Sequence, residues 1–166
     1  MTNPSDAPCR QEIRISEADF DVGAELSALY ARSGGELGAV ATFIGLVRDR
    51  FEGARVSTLH LEHYPGMTEK SIEAIVAQAT DRWPLLDVLV VHRIGALDAR
   101  AQIVYVQVAS GHRDAAFAAA EFIMDYLKTE AVFWKRESGE SSERWVESTA
   151  EDRQRRAAWT EESARD

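Results

Sequence analysis

The chain has 166 residues, 45% of them hydrophobic, and a net charge of −9, which suits one domain with a sizeable core and argues against broad binding to nucleic acid or an anionic membrane. Its one cysteine, Cys9, excludes an internal disulfide and a cysteine-based metal cluster, and no apolar run approaches the length that crosses a bilayer. No basic, then apolar, leader is visible at the start, so the sequence predicts a cytoplasmic protein.

Residues 1–10 read as a flexible lead-in, polar and Pro-containing, and Cys9 within it is expected to have no chemical role. Gln11 to Ser16 alternates and predicts a strand, with Ile13 and Ile15 on one side. Asp19 is placed to cap a helix over Phe20 to Arg32 with Leu26, Leu29 and Tyr30 as its stripe, stopped by Ser33-Gly34-Gly35. Gly38 to Val47 is apolar and β-branched and predicts a buried strand, with a turn at Glu52-Gly53 beyond it. Arg55 to His63 alternates again, Val56, Thr58, His60 and Glu62 against Leu59 and Leu61. Met67 to Trp83 carries Ile72, Ile75, Val76 and Ala79 at helical spacing, and Pro84 ends it. Leu86 to Ile94 is a strand, Gly95 to Arg100 a connection, and Ala101 to Ala109 another strand.

An Ala-rich helix follows over Ala115 to Lys128, with Phe117, Ala120, Ile123, Met124 and Leu127 predicted inward. Val132 to Glu137 and Arg144 to Glu147 read as short strands around a loop at Gly139 to Glu143. Residues 150–166 form a charged tail or marginal helix with Trp159 as its anchor. Residues 11–149 thus make one α+β domain, with helices packed on a mixed, mainly antiparallel sheet.

Chemistry gathers at a few places. The chain uses arginine sixteen times and lysine three times, and two of the lysines, Lys128 and Lys135, flank Phe133 and Trp134. Lysine can lose its proton when desolvated and arginine cannot. Two surface lysines that happen to be close is the bland alternative. Ser110-Gly111-His112-Arg113 joins a strand to a helix, where open N–H groups and the helix dipole suit phosphate or carboxylate. Here the alternative is an ordinary connection with a solvated Arg113. Arg48 ends a strand, after Leu46 and Val47, where sites often collect. His60 and His63 are three apart on a strand and face opposite ways, so they predict no joint metal ligation. His92 is read as structural. No P-loop, dinucleotide fingerprint or Gly-x-Ser-x-Gly appears, and no resident metal or cofactor is called for.

In order along residues 11 to 147, Gly45-Leu46-Val47-Arg48, Leu59-His60-Leu61-Glu62-His63-Tyr64-Pro65-Gly66-Met67, His92-Arg93-Ile94-Gly95, Ser110-Gly111-His112-Arg113 and Phe133-Trp134-Lys135-Arg136-Glu137 together resemble the catalytic (large) subunit family of molybdopterin synthase. The resemblance implies an α/β hammerhead-type fold and a homodimer within a heterotetramer. It implies a small ubiquitin-like partner whose C-terminal Gly-Gly tail carries a thiocarboxylate. The substrate would be cyclic pyranopterin monophosphate, which receives two sulfurs to form the dithiolene of molybdopterin. The family's two essential lysines fall on Lys128 and Lys135. Its substrate pocket falls on Leu46, Val47, Arg48, His112, Arg113, Arg136 and Glu137. The chain departs from the family pattern at Val132, where proline is frequent, and residues from Ala150 onward have no evident counterpart. The reading from a different class is a non-catalytic, dimeric anion-binding module of the same fold.

Overall fold

The structure is a computed structural model and describes residues 8–51, 53–139 and 143–163. Its elements in chain order are β1 (Arg10–Ser16), α1 (Val22–Arg32), β2 (Ala39–Leu46), β3 (Arg50–Phe51), β4 (Ala54–His63), α2 (Met67–Arg82), β5 (Leu85–Arg93), β6 (Gly95–Asp98), β7 (Gln102–Ser110), α3 (Arg113–Thr129), β8 (Phe133–Gly139), β9 (Glu143–Val146) and α4 (Ala150–Ser163). Most of the lead-in, Glu52 of the expected turn and positions 140–142 of the expected loop lie outside the described residues.

Two sheets organise the fold. The first runs β1-β5-β7-β2; β1 pairs parallel with β5, and the other pairs are antiparallel. The second runs β3-β4-β8-β9, with β6 also on β4. The α+β class with a mixed, mainly antiparallel arrangement is therefore as expected.

Side-chain alternation in the central strands splits the core in two. Val88, Val90, Val104, Val106 and Val108 meet Ile72, Ile75, Val76 and Ala79 of α2 and Ala116, Ala119, Phe122 and Ile123 of α3. Leu89, Val91 and Tyr105 face the other way, against Phe20 and Val22 at the entry to α1. Val47, Leu59, Leu61 and Leu97 form a third cluster under the second sheet, and Phe133 packs against both this cluster and the main one. Cys9, expected on a mobile lead-in, instead packs half-buried against the main core.

Several expectations are corrected. The helix cap is Asp21, whose carboxylate accepts from the Ala24 N–H at 3.0 Å; Asp19 accepts from Phe20 N–H and from Gln102. β2 is an edge strand, and Phe43, Ile44 and Leu46 are exposed. Gly95 to Asp98 forms β6 because it pairs with Thr58 to Leu61, a long-range partner that local sequence does not announce. In β4 the ladder to β8 shifts between Val56 and Thr58, which lets Val56 and Leu59 both be buried despite opposite parity. Phe117 is 67% exposed, because the small face of Ala115, Ala116, Ala119 and Ala120 is the one laid on the sheet. At the start of α2, Gly66 sits at φ 82°, where a side chain would be strained, and its N–H donates to Glu69 at 2.6 Å. Among the described residues no helix is long and apolar enough to cross a membrane.

Candidate active site

α3 carries candidate residues at both of its ends. Lys128 lies in the last turn, exposed, where an ammonium complements the helix dipole. Four residues beyond the helix, β8 starts at Phe133 and brings Lys135 beside it. β8 is clamped by β4 on one side and β9 on the other, with Lys135 in register with Leu61 and Val146. Its approach is tied to α2: the Thr68 hydroxyl donates to the Val132 carbonyl at 2.7 Å, and the Val132 N–H donates to the Ser71 hydroxyl at 3.4 Å. A proline at 132 would lose that second bond.

Alternation along β8 puts Phe133, Lys135 and Glu137 on one face and Trp134 and Arg136 on the other. Trp134 therefore does not desolvate Lys135; it is exposed and leans on Tyr64, ring centroids 5.8 Å apart. Phe133 does lie on the lysine's face. It stacks on His92 at 4.0 Å, and burial holds His92 neutral, pushing it down to about 3, while its Nδ1 lies 2.8 Å from the Arg93 carbonyl oxygen. Burial lowers the Lys135 amine from the ordinary 10.5 to about 8; the nearby Lys128 charge adds to the drop and Asp152 opposes it. Lys135 is thus an amine able to bind an anion when charged and to take up a proton when free.

Of the other candidates, Val47 is buried under the second sheet, in the cluster that includes Leu61, the strand neighbour of Lys135. Its backbone is fixed on both sides, its N–H donating to Ala101 and its carbonyl accepting from Arg100. Leu46 and Arg48 flank it and are exposed. Arg136 points away from Lys135 and pairs with Glu143 at 3.1 Å. Lys128, Lys135, Val47 and Glu137 thus share one end of the molecule.

His112 and Arg113 do not. They stand at the first turn of α3, and a rise of about 1.5 Å per residue puts Arg113 roughly 22 Å from Lys128 along the axis. There they line a pocket of about 390 Å³ with Gly38, Gly111 and Asp114. The pocket depends on two backbones in close approach. The Gly38 N–H donates to the Ser110 carbonyl, and a Cβ at Gly38 would lie 2.1 Å from the Gly111 oxygen. His112 takes the cap position without a side-chain cap bond, so its side chain leaves the first-turn N–H groups beside the pocket uncapped. Arg113 extends into solvent, 3.5 Å from Asp114. His60 and His63 alternate on β4, and among the described residues no group of three or more His, Cys, Asp or Glu is arranged to hold a metal.

Sequence reasoning missed Asp152, in the first turn of α4, whose charge reaches both lysines. The signal was there: Thr149-x-x-Asp152 has the spacing of a reciprocal helix cap.

An α+β domain with a desolvated lysine beside an exposed one at one end of a helix, and a pocket at the helix start at the other, has the groups of an enzyme that could work through amines. The family model described as MoaE protein matches residues 15–130. A molybdopterin synthase catalytic subunit from Ralstonia nicotianae is 56% identical over 147 residues, covering 89% of this chain and 83% of the relative. One from Pseudomonas aeruginosa is 50% identical over 149 residues, covering 90% and 99%. Among solved structures, the molybdopterin biosynthesis MoaE protein from Burkholderia ambifaria superposes with a TM-score of 0.77 at 50% identity, covering 90% of this chain and 98% of that one. The chain belongs to the MoaE family.

Proposed function

We propose that the chain is the catalytic subunit of a molybdopterin synthase, acting in molybdenum cofactor biosynthesis. The observation that carries the reading is Lys135, an amine brought down to about 8 beside a second lysine at the end of α3. The relatives' names supply the reaction class. The sulfur comes from the thiocarboxylated C-terminal Gly-Gly of a small ubiquitin-like partner, and the acceptor is cyclic pyranopterin monophosphate. The thiocarboxylate sulfur bonds to a substrate carbon that bears oxygen, the C–O bond there breaks with the oxygen leaving as water or staying on the phosphate, and the substrate is joined to the partner as an acyl thioester. Water then opens that thioester, releasing the partner as a carboxylate and leaving the sulfur on the substrate. A second partner molecule repeats the step to complete the dithiolene.

Lys128 and Lys135 hold the thiocarboxylate, and the free amine of Lys135 takes up the proton released when water attacks. Leu46, Val47 and Arg48 border the same end, and Arg136 and Glu137 continue β8 from Lys135. The substrate phosphate is assigned to His112, Arg113 and the open N–H groups of the α3 start. Because that pocket lies about 22 Å from Lys128 along α3, one chain does not close around one small substrate. A homodimer, in which each subunit lends its α3 start to the other's lysines, reconciles the two ends and with two partner molecules makes a heterotetramer. The groups assigned to the reaction all lie within residues 11–149, and the reaction is placed in the cytoplasm, in keeping with a chain of one cysteine.

The test is sulfur transfer to cyclic pyranopterin monophosphate with a thiocarboxylated partner, a carboxylate partner, and no partner. Dithiolene is expected only in the first. Product without the thiocarboxylate would sink the reading.

A further inference from the structure

The C-terminal helix is not a loose appendage. α4 lies along the second half of α3, and its docking centres on Asp125, a buried carboxylate. Asp125 accepts from Arg155 at 3.1 Å and from the Trp159 indole N–H at 2.8 Å. Trp159 meets Trp83 and Phe122 edge-on, at 5.7 and 5.5 Å between ring centroids. Arg155 also reaches Glu121, and Arg156 pairs with Glu130 just past the end of α3. These contacts fix the direction of α4, so that it starts where α3 ends.

The start of α4 is fixed as tightly. β9 leaves the sheet at Val146, the strand partner of Lys135, and three residues later Thr149 caps the helix. The cap is reciprocal: the Thr149 N–H and hydroxyl donate to the Asp152 carboxylate at 2.9 and 2.8 Å, and the Asp152 N–H donates to the Thr149 hydroxyl at 3.1 Å. A carboxylate is thereby held, in a set rotamer, at the end of the molecule where the two lysines stand.

We propose that Asp152 is a positioning residue of the lysine centre: α4 presents its carboxylate as the counter-charge that keeps Lys128 and Lys135 side by side. This rests on the sulfur-transfer reading. Two ammonium groups that must approach one anionic tail repel each other until that tail arrives. A carboxylate at the rim lowers this repulsion and orients the amines. The electrostatics agree with the geometry. Burial raises the Asp152 carboxyl, but the Thr149 bonds and the charges of Lys128 and Lys135 outweigh it and leave it below its ordinary value. Asp152 in turn raises Lys135. The other titratable or charged groups towards Lys135 are Lys128 of α3, His92 of β5, which is neutral, Glu137 on its own strand face, and His63 on the neighbouring strand β4.

The experiment uses the whole chain, in which isotope-labelled lysine gives three ammonium resonances, one of them Lys135. Asp152→Asn keeps a capping side chain and removes the charge. The Lys135 titration should move down by about half a unit or more, and the rising limb of the pH–rate profile should move with it. Trp159→Ala, which loosens α4 from α3, should produce the same direction of shift while the chain stays folded. Glu151→Gln removes the same charge one residue away and should leave Lys135 where it was. An unmoved Lys135 in Asp152→Asn, or an equal shift in Glu151→Gln, would overturn the proposal. Because the resonance is read without partner or substrate, failure of the sulfur-transfer reading would show separately, as absence of product from the wild-type chain.

Discussion

With its amine brought down to about 8, Lys135 is about one-tenth free base at pH 7, against under a thousandth for an ordinary lysine. That difference is what the setting of Lys135 supplies, and it is what Lys135→Arg would remove, since a guanidinium stays charged. Turnover in that variant should fall by about 100-fold or more, the usual loss when a proton-transfer group goes. The sign of the pH dependence follows: the free amine grows as pH rises through about 8, so the wild-type rate should climb across that range, and the limb should be missing in the variant. Near-normal turnover in Lys135→Arg would mean that charge alone suffices. Cys9 makes the converse case. Burial first, and the Asp87 charge second, push its thiol up to about 11, so very little of it is thiolate, the reactive form, near neutral pH. Cys9→Ser should therefore keep full product formation, and a loss would show that the chain supplies sulfur itself. Lys135 stands out in the sequence because lysine is rare here, but of the two aromatic neighbours in sequence, Phe133 and Trp134, only Phe133 shares its face. Which face a neighbour takes is set by strand register, and register is fixed by β4 and β9 rather than by adjacent residues.

Elements were legible where their pattern answers to local geometry alone. α2 is the clear case: Ile72, Ile75, Val76 and Ala79 gave its buried stripe, and Trp83-Pro84 its end. α3 was found, but its phase was off at Phe117, because close packing on the first sheet selects the alanine face over the larger aromatic side chain. β2 looked interior because it is apolar, and its exposed Phe43, Ile44 and Leu46 belong to an edge whose position only the strand order reveals. Likewise β6 and α4 depend on distant partners, β4 and Asp125, that no local window contains. Ser110-Gly111-His112-Arg113 reads as an anion site, and the structure puts a pocket there; the test of that reading belongs to the element. Arg113→Ala should weaken calorimetric binding of cyclic pyranopterin monophosphate by about tenfold or more, the worth of a charged hydrogen bond. Docking of the partner protein should be unchanged, since Arg113 is assigned to the substrate phosphate and the thiocarboxylate tail to the lysines. Equal substrate affinity in wild type and variant would remove Arg113 from the phosphate site.

For the whole molecule, the length of α3 is the constraint. Its two ends bear the two groups of residues assigned to one reaction, roughly 22 Å apart, and a straight, packed helix offers no way to bring them together within a chain. A two-fold dimer that set one α3 start against the other lysine end would do so without deforming either subunit, because the same operation would carry the second start back to the first lysine end. The arrangement predicts complementation. A chain with His112→Ala and Arg113→Ala keeps its lysines, and a chain with Lys135→Ala keeps its anion pocket. Each should be nearly inactive as its own homodimer. After the two are unfolded together and refolded as an equal mixture, about half the dimers are hybrids. In a hybrid one site draws both intact halves, one from each subunit, and the other draws both defective halves. Activity with a thiocarboxylated partner should then recover to about a quarter of wild type. If each site were built within one subunit, no hybrid would contain a complete one, and the mixture would stay as inactive as its parents.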